Sequence, residues 1–146
     1  LIEADTEKDF EIESAIRCHF LQPESEFGLR WAITPIDTLP NGTIYSNSCL
    51  LFLNQAKQVY VQKYLFKEDK YVDILSTTDF YSDDIFDFQK IRIVKRGKEM
   101  NLFINDKLVK TFPSDEPALR DLGFVMRRKV KIEVDYLKLN YLDPSP

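Results

Sequence analysis

Carboxylates at alternate positions are the first feature of this chain that could do chemistry. Glu11 and Glu13 are separated by one residue, and so are Glu133 and Asp135. Residues two apart on an extended strand share a face, so each pair could flank a scissile bond. Glycoside hydrolysis by retention needs two such groups about 5–5.5 Å apart. Neither pair has a further acid three residues on, where Ile16 and Lys138 stand, and a solvated strand face is the plainer reading of both. His19 follows Cys18, but adjacent strand residues point to opposite faces, so the two cannot pair directly. It is also the only histidine, which excludes mechanisms that need two imidazoles. Asp79, Asp83, Asp84 and Asp87 crowd one segment and offer oxygen ligands of the kind calcium takes. Their spacing is not that of an EF-hand loop, and an acidic surface loop is the other reading. Arg127, Arg128, Lys129 and Lys131 form a basic run across a turn. It reads as a solvated edge, with a phosphate or polyanion contact as the alternative.

The richest set is a polar phase shared by several segments: Glu13, Arg17, His19, Arg30, Tyr60, Gln62 and Tyr64. Planar rings stack on the C–H face of a sugar, and guanidinium, carboxylate and amide groups meet its hydroxyls. The expectation is that Glu13, Arg17, Arg30, Tyr60, Gln62 and Tyr64 line one carbohydrate-binding face. Ordinary cross-strand pairs on an exposed sheet face are the alternative.

The elements that must hold these residues are strands. Residues 9–21 alternate, with Phe10, Ile12, Ile16, Cys18 and Phe20 on one side. Residues 27–34 alternate as well, with Phe27, Leu29, Trp31 and Ile33 inward, so Trp31 belongs to the core. Residues 35–47 hold Pro35, Pro40 and Asn41-Gly42 and read as a loop; Asn41-Gly42-Thr43 fits a glycosylation sequon but reads first as a turn. Residues 48–54 are apolar on both phases, as in a central strand, and 57–66 return to alternation after a short hairpin gap. Further strands are expected at 71–75, 88–96, 99–104, 107–112, 121–127 and 130–142. The segment 77–87 is expected as a rim loop, and 113–120 as a connection that could hold one helical turn. No stretch of twelve or more residues carries a 3.6 period. Many short strands between turn signals make a β-sandwich or barrel.

Composition narrows the function classes. The 146 residues make one domain, 1–146, at the usual domain size. Lys+Arg 20 against Asp+Glu 24 gives a net charge of −4, which argues against a nucleic-acid binder. Four glycines leave little from which to build phosphate-cradling loops. No apolar run approaches the ~18 residues of a membrane span. A chain opening on Leu1 rather than Met is expected to have lost an N-terminal segment. Cys18 and Cys49 both fall on the apolar phase and read as buried thiols, with a bridge between neighbouring strands as the alternative.

The C-terminal half resembles a known family. Residues 91–97 (IRIVKRG), 100–109 (MNLFINDKLV), 122–125 (LGFV) and 130–139 (VKIEVDYLKL) look like the closing strands of concanavalin A-like lectin/glucanase domains. The likeness is greatest to the laminin-G-like and keto-disaccharide-hydrolase-like members, and 9–13 and 27–31 match the opening strands in kind. Asp106 stands where the family usually has Gly, a change a type I′ turn tolerates. The resemblance implies an all-β fold, a two-sheet antiparallel jelly-roll sandwich whose concave face holds glycans in relatives. Sandwich glucanases of this superfamily carry E-x-D-x-x-E on one strand; here Ile16 replaces the third acid after Glu11 and Glu13, so catalysis is not expected. The resulting expectation is a non-catalytic binding or accessory module, with a glycan-processing hydrolase or a protein-interaction module as alternatives. Its partner would be a carbohydrate or a protein surface, and its place extracytoplasmic, in a periplasm or on a bacterial cell surface. No cofactor is expected beyond calcium at the four aspartates.

Overall fold

The computed structural model describes residues 9–33, 37–45, 47–113 and 119–142. Its strands are β1 (Phe10–Phe20), β2 (Glu26–Ile33), β3 (Asp37–Thr38), β4 (Ile44–Tyr45), β5 (Ser48–Asn54), β6 (Gln58–Leu65), β7 (Lys70–Asp79), β8 (Gln89–Arg96), β9 (Glu99–Ile104), β10 (Lys107–Pro113), β11 (Leu119–Arg127) and β12 (Val130–Tyr141). Sheet A has the order β10-β9-β8-β1-β12, and sheet B the order β11-β2-β5-β6-β7. All their pairings are antiparallel. Among the described residues no helix is long and apolar enough to cross a membrane.

The two sheets close on one core. Phe27, Leu29 and Trp31 of β2, Leu51 and Leu53 of β5, and Val59 and Val61 of β6 belong to it from sheet B. Ile12, Ile16 and Cys18 of β1, Ile91 and Ile93 of β8, and Leu102 and Ile104 of β9 belong to it from sheet A. Burying such a side chain contributes about 1.5–3 kcal/mol. A one-residue slip would turn a whole strand's set to water, so the alternation fixes the register. Cys18 and Cys49 are both buried as thiols, one in each sheet. Burial pushes the Cys18 thiol up to about 12.

Several local features follow from single residues. Asn105 and Asp106 both take positive φ, 54° and 66°, which is the type I′ geometry expected of the β9–β10 turn. At Gly28 any Cβ would stand 1.8 Å from the Leu51 carbonyl oxygen, so only glycine lets β2 approach β5. Between Ala15 and Ile16 the register shifts, because β12 carries Asp135 as an extra residue opposite β1. Ser14 is fully buried there and donates its hydroxyl to the Tyr136 carbonyl at 2.7 Å.

The expected boundaries change in three places. Residues 35–47 were expected as plain loop, yet β3 and β4 pair within it. Strand β7 runs on to Asp79 rather than ending at 75; as an edge strand with shifted register it lacks the clean alternation that marks a half-buried strand. The helical turn allowed for in 113–120 falls mostly on 114–118, outside the described residues, and Leu119 already belongs to β11.

Candidate functional site

Each sheet turns one face to the core and one outward, so the polar residues singled out above divide between two outer faces. Arg30 lies on β2 and Tyr60, Gln62 and Tyr64 on β6, all in sheet B. Glu13 and Arg17 lie on β1, which pairs with β8 and β12 in sheet A. The expected six-residue face therefore does not exist as one surface. Alternation tells inward from outward but not which sheet a strand joins, and β1 and β2 belong to different sheets although they follow one another.

The outer face of sheet A is closed upon itself. Glu13 sits between Arg92 of β8 and Lys138 of β12 in register. It accepts a hydrogen bond from the Tyr136 hydroxyl at 2.8 Å, with Lys90 and Lys138 at 3.8 and 3.9 Å. Burial, followed by the Glu13 carboxylate, pushes the Tyr136 hydroxyl up to about 12. Arg17 donates to both oxygens of Glu133 at 2.9 Å, and that contact raises its already high pKa. Arg92 lies 3.6 Å from Glu11 and 4.1 Å from the centre of the Phe103 ring. Both acid pairs considered for hydrolysis thus have a member tied to a cation on this face. His19 is exposed here, opposite Lys131.

The outer face of sheet B is built differently. Leu51 and Leu53 of β5 point into the core, which turns Phe52 outward, yet Phe52 is 0% exposed. Two side chains cover it. Tyr60 stacks on it with ring centres 5.3 Å apart, and the Arg127 guanidinium lies 4.2 Å from its centre. Arg127 also donates to the Tyr60 hydroxyl at 3.1 Å and reaches within 5.2 Å of the Tyr71 ring centre. Burial, aided by the Glu26 carboxylate, raises the Tyr60 hydroxyl pKa well above its ordinary value. The Tyr71 ring in turn lies 4.9 Å from that of Tyr64, whose hydroxyl donates to Asp69 at 2.5 Å. Beside this aromatic cluster is a depression of 310 Å³ lined by Tyr60, Gln62, Asp73, Leu75, Ser76 and Thr77. Gln62 donates its amide to Asp73 at 3.1 Å, while its buried carbonyl oxygen has no partner among the described residues. Arg30 bridges to Asp121 at 3.2 Å near the other edge.

Phe52, Tyr71, Asp73, Asp121 and Arg127 were not anticipated here. Arg127 was read as part of a solvated basic run; the structure splits that run at Arg128, whose φ is 65°, leaving Arg127 on β11 and Lys131 on β12. The only signal available was the alternation of Asp121, Gly123, Val125 and Arg127, which carries no information on the neighbour. The β11–β2 pairing supplies it.

The aspartates of the rim do not converge. Asp79 ends β7. Asp83 accepts the Tyr81 hydroxyl, and Asp84 and Asp87 accept the Phe86 and Phe88 amides. Among the described residues no group of three or more His, Cys, Asp or Glu side chains is arranged to hold a metal ion. The expected calcium ligands are instead turn-forming groups.

No family model matches the sequence, and no curated protein matches it significantly. Solved structures match its fold. Carbohydrate-binding module CBM66 from Bacillus subtilis superposes with a TM-score of 0.63 at 13% identity, over 90% of this chain and 74% of that one. Sheep galectin-11, solved with glycerol, gives 0.61 at 8% identity, over 94% and 95%. The alginate lyase PA1167 from Pseudomonas aeruginosa gives 0.51 at 11% identity, over 94% and 66%. The chain has the jelly-roll sandwich of the concanavalin A-like type, a fold shared by binding modules and enzymes alike.

Proposed function

We propose that this chain is a non-catalytic carbohydrate-binding module and that the sugar lies on the outer face of sheet B. The observation that carries the reading is the Phe52–Tyr60–Arg127 stack beside the 310 Å³ depression edged by Gln62 and Asp73. An aromatic edge next to fixed amide and carboxylate groups suits a ligand with one apolar face and many hydroxyls. Of the six residues first selected, Arg30, Tyr60, Gln62 and Tyr64 keep a ligand-facing role and Glu13 and Arg17 lose it. The fold supports the reading, since it is that of a carbohydrate-binding module and a galectin, but fold alone does not assign function. The same reading treats 1–146 as one module acting outside the cytoplasm, in a periplasm or at a bacterial surface, where such glycans are met.

A printed glycan array probed with the chain and with Tyr60→Ala, alongside an assay for newly released reducing ends, tests this. Binding that is lost in the variant, without release of reducing ends, is the expected result. Turnover would replace the reading with a glycan-processing hydrolase. Silence in both assays would replace it with a protein-interaction module.

A further inference from the structure

The depression on the outer face of sheet B is one-sided in charge and in hydrogen bonding. Its lining of Tyr60, Gln62, Asp73, Leu75, Ser76 and Thr77 includes a carboxylate and no cationic side chain. Among the described residues Asp73 has one partner, the Gln62 amide at 3.1 Å, and no cation. The other carboxylates near this face are matched. Asp121 holds Arg30, and Asp69 accepts the Tyr64 hydroxyl. Glu26 stands opposite Arg127 in register and interacts with the Tyr60 hydroxyl. Arg30 thus turns toward β11, and Arg127 is taken up by the Phe52 and Tyr71 rings and the Tyr60 hydroxyl. Neither pairs with Asp73.

Gln62 deepens the imbalance. Its amide is held in one orientation, because turned about it would set its oxygen against the Asp73 carboxylate. That leaves the oxygen buried without a donor among the described residues, and its unpaired dipole makes the depression more negative. The group that completes such a place is a donor that brings positive charge. A sugar hydroxyl donates one hydrogen bond and no charge, and a carboxylated or sulfated sugar brings like charge to Asp73. An ammonium has three donors and a full positive charge. Ser76 and Thr77 are exposed at the same lining, and their hydroxyls can accept what Asp73 does not take. Tyr60 and Gln62 alternate on β6, so the aromatic edge and the acceptor edge stand ~6.5–7 Å apart. One sugar ring with its own substituent spans that distance, and 310 Å³ is at the small end of ligand pockets.

We infer that the sugar taken by this face carries a free amine: a glycan of unacetylated amino sugars whose ammonium is held by Asp73. The inference rests on the reading of sheet B as the sugar-binding face and adds the class of its ligand. Acetylation of the amine removes the charge and leaves one N–H, so the same glycan in acetylated form loses the contact.

Calorimetric titration with glucosamine, N-acetylglucosamine and glucose oligomers of equal length and linkage tests the inference. The glucosamine oligomer binds about tenfold or more tighter than the other two, as for a hydrogen bond to a charged group. Asp73→Asn keeps the shape, removes that margin and brings the three oligomers together. Glu99→Gln, which takes one negative charge from the exposed start of β9 in sheet A, leaves the margin intact. Tyr60→Ala weakens all three. Affinity that is equal for the three, or absent for all of them while other array glycans bind, overturns the inference and leaves sugar binding at sheet B standing. A margin that survives Asp73→Asn does the same. Spermine that binds as tightly as the glucosamine oligomer, and still does so in the Tyr60→Ala chain, overturns it too, since an amine alone would then suffice. A silent array together with no binding of any oligomer overturns the reading of the face and the inference with it.

Discussion

The two outer faces both carry polar groups and use them differently. On sheet A four cations meet carboxylates: Arg17 with Glu133, Arg92 with Glu11, Lys90 and Lys138 with Glu13. On sheet B Arg30 also meets Asp121, but Arg127 lies across the Phe52 and Tyr71 rings. Ion pairs between neighbouring strands satisfy themselves and leave a ligand nothing to complete. A stacked aromatic floor with a depression beside it offers surface a ligand can use. Polarity alone does not mark a site; the kind of partner each polar group has already found does.

Several substitutions sharpen or break that contrast. The largest effect is expected at the floor of sheet B, where Phe52→Ala should cost about 3–5 kcal/mol of stability, the usual range for a buried phenylalanine. Phe103→Ala, under Arg92 on sheet A, should cost clearly less, because Phe103 is only half-buried. Chemical denaturation of both variants compares them, and equal losses would erase the distinction between a buried floor and a surface ring.

Binding comes next. Tyr60→Ala removes the stack on Phe52 and the partner of Arg127, and should weaken a bound sugar about tenfold or more, roughly 1.4 kcal/mol. Arg30→Ala should weaken it as well, by leaving ligand hydroxyls unpaired. Arg17→Ala on sheet A should leave affinity unchanged and shift stability by less than about 1 kcal/mol, as for an exposed ion pair. Calorimetric titration with the best array ligand reads all three, and a loss on Arg17→Ala would put the site on the wrong sheet.

A smaller effect is expected in alkali. Tyr136 is raised from 10.0 to about 12 in the folded chain. Between those values the unfolded tyrosine has lost its proton while the folded one keeps it, so stability falls as pH rises. The contribution is complete below pH 10 and lost by about pH 12. Tyr136→Phe should flatten that part of the stability profile, and an unchanged slope would show that the Glu13–Tyr136 contact does not hold the proton. The smallest effect is at the rim: millimolar calcium should leave the melting temperature unmoved, and a rise abolished by Asp83→Asn would restore the metal reading.

Much of the fold could be read from residue order. The alternation of Phe27, Leu29 and Trp31, and the doubly apolar run of β5, correctly gave core strands and a central strand. The Asn105-Asp106 turn was legible because both residue types accept positive φ. The site was legible only in part, since periodicity is a local property and sheet membership is not. Tyr60, Gln62 and Tyr64 were found together because they share one strand. Arg127 was missed because its role depends on β11 returning beside β2 almost a hundred residues after that strand begins. Glu13 and Arg17 were wrongly grouped with Arg30 for the same reason.

The most direct test follows backbone amide signals of isotope-labelled chain by NMR during titration with the oligosaccharide that binds best on the array. Shifts concentrated at Arg30, Phe52, Tyr60, Gln62, Asp73 and Arg127, with Glu13, Arg17, Lys90 and Lys138 unmoved, are the result the account predicts. Shifts centred on β1, β8 and β12 with the sheet B residues silent would contradict it.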